Sequence, residues 1–135
     1  MKNVSLFAVV VVGLTILVYQ PTMAGEFAFT FKWGGIPLCD DGSPNDVSNP
    51  IFTLSGVPAG TKEIEFEMID LDAPSYQHGG GTVKYTGQKV IEKGAFEYES
   101  PCPPGETHTY EWQANAKDAN GDSIGKATAR TNYPK

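Results

Sequence analysis

Two short segments of the chain concentrate the side chains that could do chemistry. The first, IDLDAPSYQHGGG (Ile69–Gly81), carries Asp70 and Asp72 two residues apart, followed by Pro74 and His78. Residues i and i+2 of a β-strand share a face, so both carboxylates point the same way if a strand continues that far. The three glycines after His78 allow close backbone approach and leave N–H groups available for a ligand.

The second segment, SPCPPGETHTY (Ser100–Tyr110), is stiffened by three prolines around Cys102 and then presents His108 and Tyr110. These two residues fall on one face of the alternating sequence HTYEWQANAK, and Trp112 continues that face as a core residue. Prolines reduce the entropy lost when a loop is ordered, which is a physical reason to stiffen the chain beside a binding residue. An imidazole and a phenol hydroxyl can both donate hydrogen bonds to an anion.

Strands must position both segments, because apolar and polar residues alternate along much of the chain. The alternation is clear in GEFAFTFKW, where Phe27, Phe29, Phe31 and Trp33 share a face, and in KEIEFEMID and HTYEWQANAK. Shorter candidates are TVKYT, QKVIE, AFEYE and KATARTNY, and turn signals such as CDDGSPND, SGVPAG and DANGDS separate the strands. No segment after Val18 keeps a helical period for three turns. We therefore predict one antiparallel all-β domain, a sandwich or a partly closed barrel.

The amino-terminal residues have the layout of a secretory signal peptide. Lys2 precedes the almost wholly apolar stretch Val4–Tyr19, and small residues that end at Ala24 supply a cleavage point. The stretch is shorter than the roughly 20 residues of a membrane-spanning helix, so we expect cleavage and no stable membrane insertion. The predicted organisation is a signal peptide at 1–24 and one domain at 25–135, periplasmic or secreted.

Charge and cysteine content narrow the possible partners. The chain has a formal net charge of −6, and residues 1–24 hold one lysine and no acidic residue, so the remaining domain has −7. Such a surface repels nucleic acid and anionic headgroups at long range, so a bound anion needs a local pocket. Cys39 and Cys102 are predicted to pair in an oxidising compartment, closing a loop of about 60 residues worth roughly 4 kcal/mol, with two free thiols as the alternative.

Both chemical segments resemble motifs of the phosphatidylethanolamine-binding proteins, also called Raf kinase inhibitor-like proteins. DLDAP (Asp70–Pro74) is similar to the family's Asp-x-Asp-x-Pro, and SPCPPGETHTY is similar to its Gly-Pro-Cys-Pro-Pro followed by His-Arg-Tyr. The resemblance runs from about Cys39 to Trp112. It implies a small antiparallel β-sandwich in which the two motifs converge on a pocket for phosphate, a phospholipid headgroup or a carboxylate.

The resemblance also implies roles for individual residues. The ligand-binding residues it implies are Asp70, Asp72, Pro74, His78, Cys102, His108 and Tyr110. It further implies that the Pro101–Pro104 segment forms one wall of the pocket and presents backbone N–H groups, while Asp70 orients the imidazole of His108. The sequence departs from the family's pattern where His-Arg-Tyr has become His-Thr-Tyr and where glycines replace a tryptophan near His78.

Other chemistries have less support in the sequence. His78, His108 and Asp70 could form a facial metal triad, but no local spacing enforces it, so we predict no metal and no other cofactor. DANGDS lacks the glycine and glutamate that a calcium-binding loop requires, and a hairpin turn explains it better. Neither Ser75 nor Ser100 lies in a nucleophile-elbow pattern, so we do not expect an enzyme.

Two functional classes stay open. The leading prediction is a non-enzymatic module that binds a small anion. The alternative is a protein-interaction or inhibitor module that docks on a kinase- or protease-type enzyme. At the residue level, His108 could instead be a core histidine bonded to a carboxylate such as Asp70, and Asp72 could simply accept backbone N–H groups at a turn.

Overall fold

The computed structural model describes residues 25–37, 39 and 42–134, and these residues form nine β-strands and no helix. The strands are β1 (Ala28–Lys32), β2 (Asp46–Ser48), β3 (Ile51–Ser55), β4 (Glu63–Asp70), β5 (Gly80–Lys84), β6 (Val90–Ile91), β7 (Glu97–Glu99), β8 (His108–Lys117) and β9 (Ser123–Tyr133). The prediction of an all-β fold is confirmed. The predicted signal peptide lies outside the described residues, and within them no helix is long and apolar enough to cross a membrane.

The strands pair into three antiparallel sheets. The largest has the order β5-β4-β8-β9, the second has the order β1-β3-β6, and β2 pairs with β7. The β4–β8 ladder runs from the pair Glu63–Lys117 to the pair Asp70–Tyr110. DANGDS connects β8 to β9 as a hairpin, as expected. The end of β4 therefore lies beside the start of β8, which brings the two chemical segments together.

The core lies between the four-stranded and three-stranded sheets and is rich in aromatic rings. Phe52 of β3 stacks on Phe66 of β4 with ring centroids 4.4 Å apart, and Trp112 of β8 meets Phe52 edge to face at 5.2 Å. All three side chains are essentially inaccessible to solvent. Rings of this size dominate the apolar area that a small domain can bury, so this cluster fixes the spacing of the two sheets.

The aromatic alternation at the start of the domain builds β1 into the fold. Phe27, Phe29 and Trp33 are buried, and Phe31 is half-buried against the same core. β1 pairs along its whole length with β3, a strand that the sequence analysis did not predict. The signal for β3 was present, because its second and fourth residues are apolar and buried while the flanking positions are exposed.

The glycines beyond His78 have a packing role. A Cβ atom at Gly80 would lie 1.9 Å from the carbonyl oxygen of Phe66, and one at Gly81 would lie 2.5 Å from the side chain of Phe96. Both glycines are paired with β4 in the sheet. In place of the expected N–H groups for a ligand, these residues therefore let β5 approach β4 and the core closely.

Candidate functional site

A cavity of about 270 Å³ lies where β4 ends and β8 begins. Five of the seven residues proposed from the sequence line it, and these are Asp70, His78, Cys102, His108 and Tyr110. Antiparallel pairing of β4 with β8 produces this convergence, because it places Asp70 directly opposite Tyr110. The sheet register, rather than any loop, therefore holds the centre of the site.

A buried pair of His108 and Asp70 forms the floor of the cavity. Nδ1 of His108 lies 2.6 Å from Oδ2 of Asp70, and the other carboxylate oxygen accepts the backbone N–H groups of Asp72 and Ala73 at 2.9 and 3.1 Å. Burial acts to raise the pKa of Asp70, but the hydrogen bonds from His108 and from the backbone outweigh it and lower the pKa below 3.8. The carboxylate stays ionised and orients the imidazole, as the sequence analysis expected.

The second nitrogen of His108 faces a residue that the sequence analysis did not consider. Nε2 lies 3.0 Å from Oε1 of Glu106, whose side chain is 66% exposed. The hydrogen bond with Asp70, and then that with Glu106, raise the pKa of His108 above its ordinary value of 6.5. A protonated imidazole therefore donates inward to a buried carboxylate and outward to an exposed one.

Tyr110 contributes a polar atom that has no well-formed hydrogen bond. Its side chain is fully buried, and its hydroxyl makes no well-formed hydrogen bond within the described part of the chain, although the carboxylate of Asp70 and the backbone of Cys102 are close enough to influence its pKa. Burial first, and the charge of Asp70 second, raise the pKa of Tyr110, so the hydroxyl keeps its proton at neutral pH. A buried donor that lacks a well-formed hydrogen bond costs up to roughly 1–3 kcal/mol, which a ligand oxygen in the cavity would offset.

His78 packs beside Tyr110 and is held by the backbone. Its ring meets that of Tyr110 edge to face at 5.5 Å, and its Nδ1 lies 2.8 Å from the carbonyl oxygen of Glu99. A carbonyl can only accept, so Nδ1 carries the proton of this hydrogen bond. Nε2 makes no hydrogen bond to the residues that the structure describes, and the His78 side chain is one of those that line the cavity.

Asp72 and Pro74 do not line the cavity, which differs from the expectation drawn from the resemblance. Asp72 is exposed, and its Oδ2 accepts the backbone N–H of Thr109 at 2.6 Å. It thereby ties the turn after β4 to the start of β8, which is the backbone role considered as an alternative. Pro74 is exposed in that turn.

One group of possible metal ligands occurs among the described residues, and it is not the triad considered from the sequence. Asp70, Asp72 and His108 offer atoms within 4.8 Å of one another, whereas His78 lies outside this group. Both nitrogens of His108 and both oxygens of Asp70 already bond to protein atoms. These hydrogen bonds explain the clustering without an ion.

The predicted disulfide forms one wall of the cavity. Cys39 and Cys102 are joined, with Cα atoms 5.5 Å apart, within the usual range for such a bond. Cys102, Pro103 and Pro104 line the cavity. Because prolines have no N–H, only Cys102 can donate from the backbone of Pro101–Pro104, and the expectation of several donors there is wrong.

Taken with the sheet topology, these features define a small β-sandwich with a cavity at the end of its largest sheet, lined in part by two histidines, an aspartate and two tyrosines. The fold is similar to a crystal structure of a putative phosphatidylethanolamine-binding protein homologue from Chlamydia trachomatis, with a TM-score of 0.53 and 19% sequence identity over 82% of this chain and 98% of that one. This likeness confirms the predicted fold. No known protein-family description matches the sequence, and no curated protein does.

Proposed function

We propose that this protein is an exported, non-enzymatic module that binds a small anion in the cavity between β4 and β8. The observation that carries the proposal is the buried hydroxyl of Tyr110, a donor without a well-formed hydrogen bond, beside a protonated histidine. Phosphate, a phosphorylated headgroup and a carboxylate all offer the oxygen that such a donor requires. The name of the structurally similar chlamydial protein refers to binding of a phospholipid with such a headgroup.

The charges around His108 determine which of its two ring nitrogens an anion would contact. Asp70 is buried and neutralises the inner side of the imidazolium, so the outer N–H at Nε2 is the group that an anion would meet. Glu106 bonds to this group from an exposed position. An anion that replaces Glu106 would gain a charge-assisted hydrogen bond while the glutamate returns to water.

The described lining of the cavity offers no evident nucleophile for covalent catalysis. It includes no serine, threonine or lysine, and its cysteine is in a disulfide. The raised pKa of Tyr110 makes its hydroxyl a poor nucleophile at neutral pH. These features support a binding role. The disulfide supports the export that the amino-terminal sequence predicts, because such bonds persist in oxidising compartments.

Replacement of Tyr110 by Phe tests the proposal. The change removes the unpartnered hydroxyl and keeps the ring, so the melting temperature should stay the same or rise. Titration of the purified protein with phosphate, acetate and phosphoethanolamine, followed by NMR, should show affinity lowered roughly tenfold for the favoured anion. Tyr98→Phe, buried against Trp112 away from this cavity, is the matched control.

Two results would count against an anion site here. One is a folded Tyr110→Phe protein that binds all three anions as tightly as wild type. The other is a wild type that binds none of them, in which case the docking alternative takes the place of the proposal.

A further inference from the structure

A second and larger cavity, of about 610 Å³, opens beside β1 and β3. None of the seven residues proposed for the first site lines it. Its volume lies within the range of about 300–1,000 Å³ that is typical of pockets for small organic ligands. The two cavities are therefore distinct places in the fold, and the larger one has no part in the function proposed above.

The walls of the large cavity are mainly apolar and aromatic. Phe31, Trp33, Ile36 and Tyr98 line it, and the rings of Phe31 and Trp33 meet edge to face at 5.1 Å. Trp33 is fixed in place because its indole N–H donates to the carbonyl oxygen of Asn132 at 3.0 Å. Rigid aromatic walls of this kind favour an apolar ligand group over a hydrated one.

Apolar surface continues from the cavity across the outer face of the three-stranded sheet. Ile51 lines the cavity and is 48% exposed. Thr53 lies two residues along the same face, also lines the cavity, and pairs with Val90, which is 37% exposed. Large exposed hydrophobic side chains are few in the described chain, and two of them lie on this face. An elongated apolar group could follow this path out of the cavity.

Both charged residues that the described chain contributes to this cavity are cations. Lys32 and Lys93 line it, and no acidic residue does so in the described part of the chain. Neither lysine forms a salt bridge there. In a protein with a net charge of −6, two unpaired cations beside an apolar cavity are an exception to the overall charge.

Both lysines stand on ordered elements. Lys32 belongs to β1 and pairs with Ile51 of β3. Lys93 lies in a turn held by the fully buried Asn49, whose Oδ1 accepts the N–H groups of Gly94 and Phe96, both at 3.1 Å. The cations are thus presented to the cavity by a sheet and by a fixed turn.

We propose that this cavity binds a single-chain anionic amphiphile. The aliphatic tail occupies the aromatic cavity and the outer face of β3, and Lys32 and Lys93 bind a carboxylate or phosphate headgroup. Lysine suits this role because its ammonium acts as a point charge that accepts either headgroup. Because apolar burial contributes in proportion to area, each added methylene that enters the cavity should raise affinity by up to about fourfold.

Calorimetric titration below the micellar concentration tests the proposal with defined probes. Octanoate, decanoate and dodecanoate should bind with affinity that increases along the series, and dodecyltrimethylammonium should bind at least about tenfold more weakly than dodecanoate. A second titration uses dodecyl phosphate, which has the same tail as dodecanoate but a phosphate headgroup. Binding of both head types, or of one alone, supports the site and identifies the headgroup.

Variants then locate the site. Lys32→Gln combined with Lys93→Gln should lower dodecanoate affinity roughly tenfold, whereas Lys84→Gln, on the exposed surface of the other sheet, should leave it unchanged. In NMR spectra the indole resonance of Trp33 should shift, and that of Trp112, which does not line the cavity, should not. Saturating phosphate should not compete dodecanoate off the protein, although it can change the dissociation constant by a limited factor, and this separates the site from the first one.

The proposal is overturned if dodecanoate and dodecyltrimethylammonium bind equally, or if neither binds. It is also overturned if the folded double lysine variant binds dodecanoate as wild type does.

Discussion

Removal of the disulfide should lower the free energy of unfolding by about 4 kcal/mol. Cys39 and Cys102 are 63 positions apart. In the chain-entropy treatment, closure of a loop of that length restricts the unfolded chain by about 4 kcal/mol at 25 °C. A domain of this size has a total stability of roughly 5–15 kcal/mol, so the bond accounts for a large share of it. The perturbation is the double variant Cys39→Ala and Cys102→Ala, which leaves no free thiol.

Urea unfolding followed by tryptophan fluorescence measures this loss, because Trp33 and Trp112 are both buried in the folded state. With a slope of about 2 kcal/mol per molar urea, a loss of about 4 kcal/mol moves the midpoint down by roughly 2 M. Wild type in dithiothreitol is the matched comparison. It should unfold at the same urea concentration as the variant, and the reductant should not change the midpoint of the variant.

The same variant also tests the wall of the first cavity. Gly42 and Pro44 line this cavity and lie close in sequence to Cys39. Cys102, the other half of the disulfide, lines the cavity as well. Phosphate should therefore bind more weakly to the variant under conditions where it is still folded. The reasoning is refuted if the loss of stability is below about 1 kcal/mol and reduced wild type unfolds at the same urea concentration as the oxidised protein.

Three further predictions concern the site and the sheet. Hydrogen bonds with Asp70 and Glu106 raise the pKa of His108 above 6.5. The protonation of its imidazole, and with it the affinity for an anion, should therefore be highest below pH 6.5 and should decline as pH rises through the raised pKa. Asp70→Asn should move this decline to lower pH, and phosphate titrations that do not vary with pH would contradict the assignment. Because Glu106 also raises the pKa of His108, the prediction for Glu106 itself applies below pH 6.5, where the imidazole stays protonated. There Glu106→Gln should raise phosphate affinity about two- to fivefold, which corresponds to the strength of an exposed ion pair, and a weaker affinity would show that Glu106 helps the ligand instead. Gly80→Ala should destabilise the protein by roughly 3 kcal/mol, since the new Cβ would lie 1.9 Å from a carbonyl oxygen of β4, whereas Gly35→Ala, with nothing within 4 Å, should melt near the wild-type temperature.

The strands that the sequence predicted well are those whose buried and exposed positions alternate over many residues. β4 buries Ile64, Phe66 and Met68 in strict alternation, and β8 buries one face from His108 to Ala116. β2 has only three residues, too few to show a period, and its existence depends on pairing with the distant β7. Such strands form because a partner is present, which no local pattern can reveal.

The part of the site that lies on strands could be predicted from the sequence. Asp70, His108 and Tyr110 lie at the ends of β4 and β8, so their convergence follows from antiparallel pairing. The shared face of residues i and i+2 does not extend to Asp72, because its N–H bonds back to the carboxylate of Asp70 and the strand ends there. Glu106 was missed because the direction of a side chain in a turn depends on backbone angles that the sequence does not specify.

The edge-to-face pair of Trp33 and Tyr110 has a thermodynamic consequence. Their ring centroids lie 5.6 Å apart, and Trp33 lines the larger cavity while Tyr110 lines the smaller one. At this point the two cavities are thus separated only by a partition that consists of these two rings. A ligand that shifted this partition from one side would change the free energy of occupancy on the other. Linkage then requires that each ligand alter the dissociation constant of the other by the same factor.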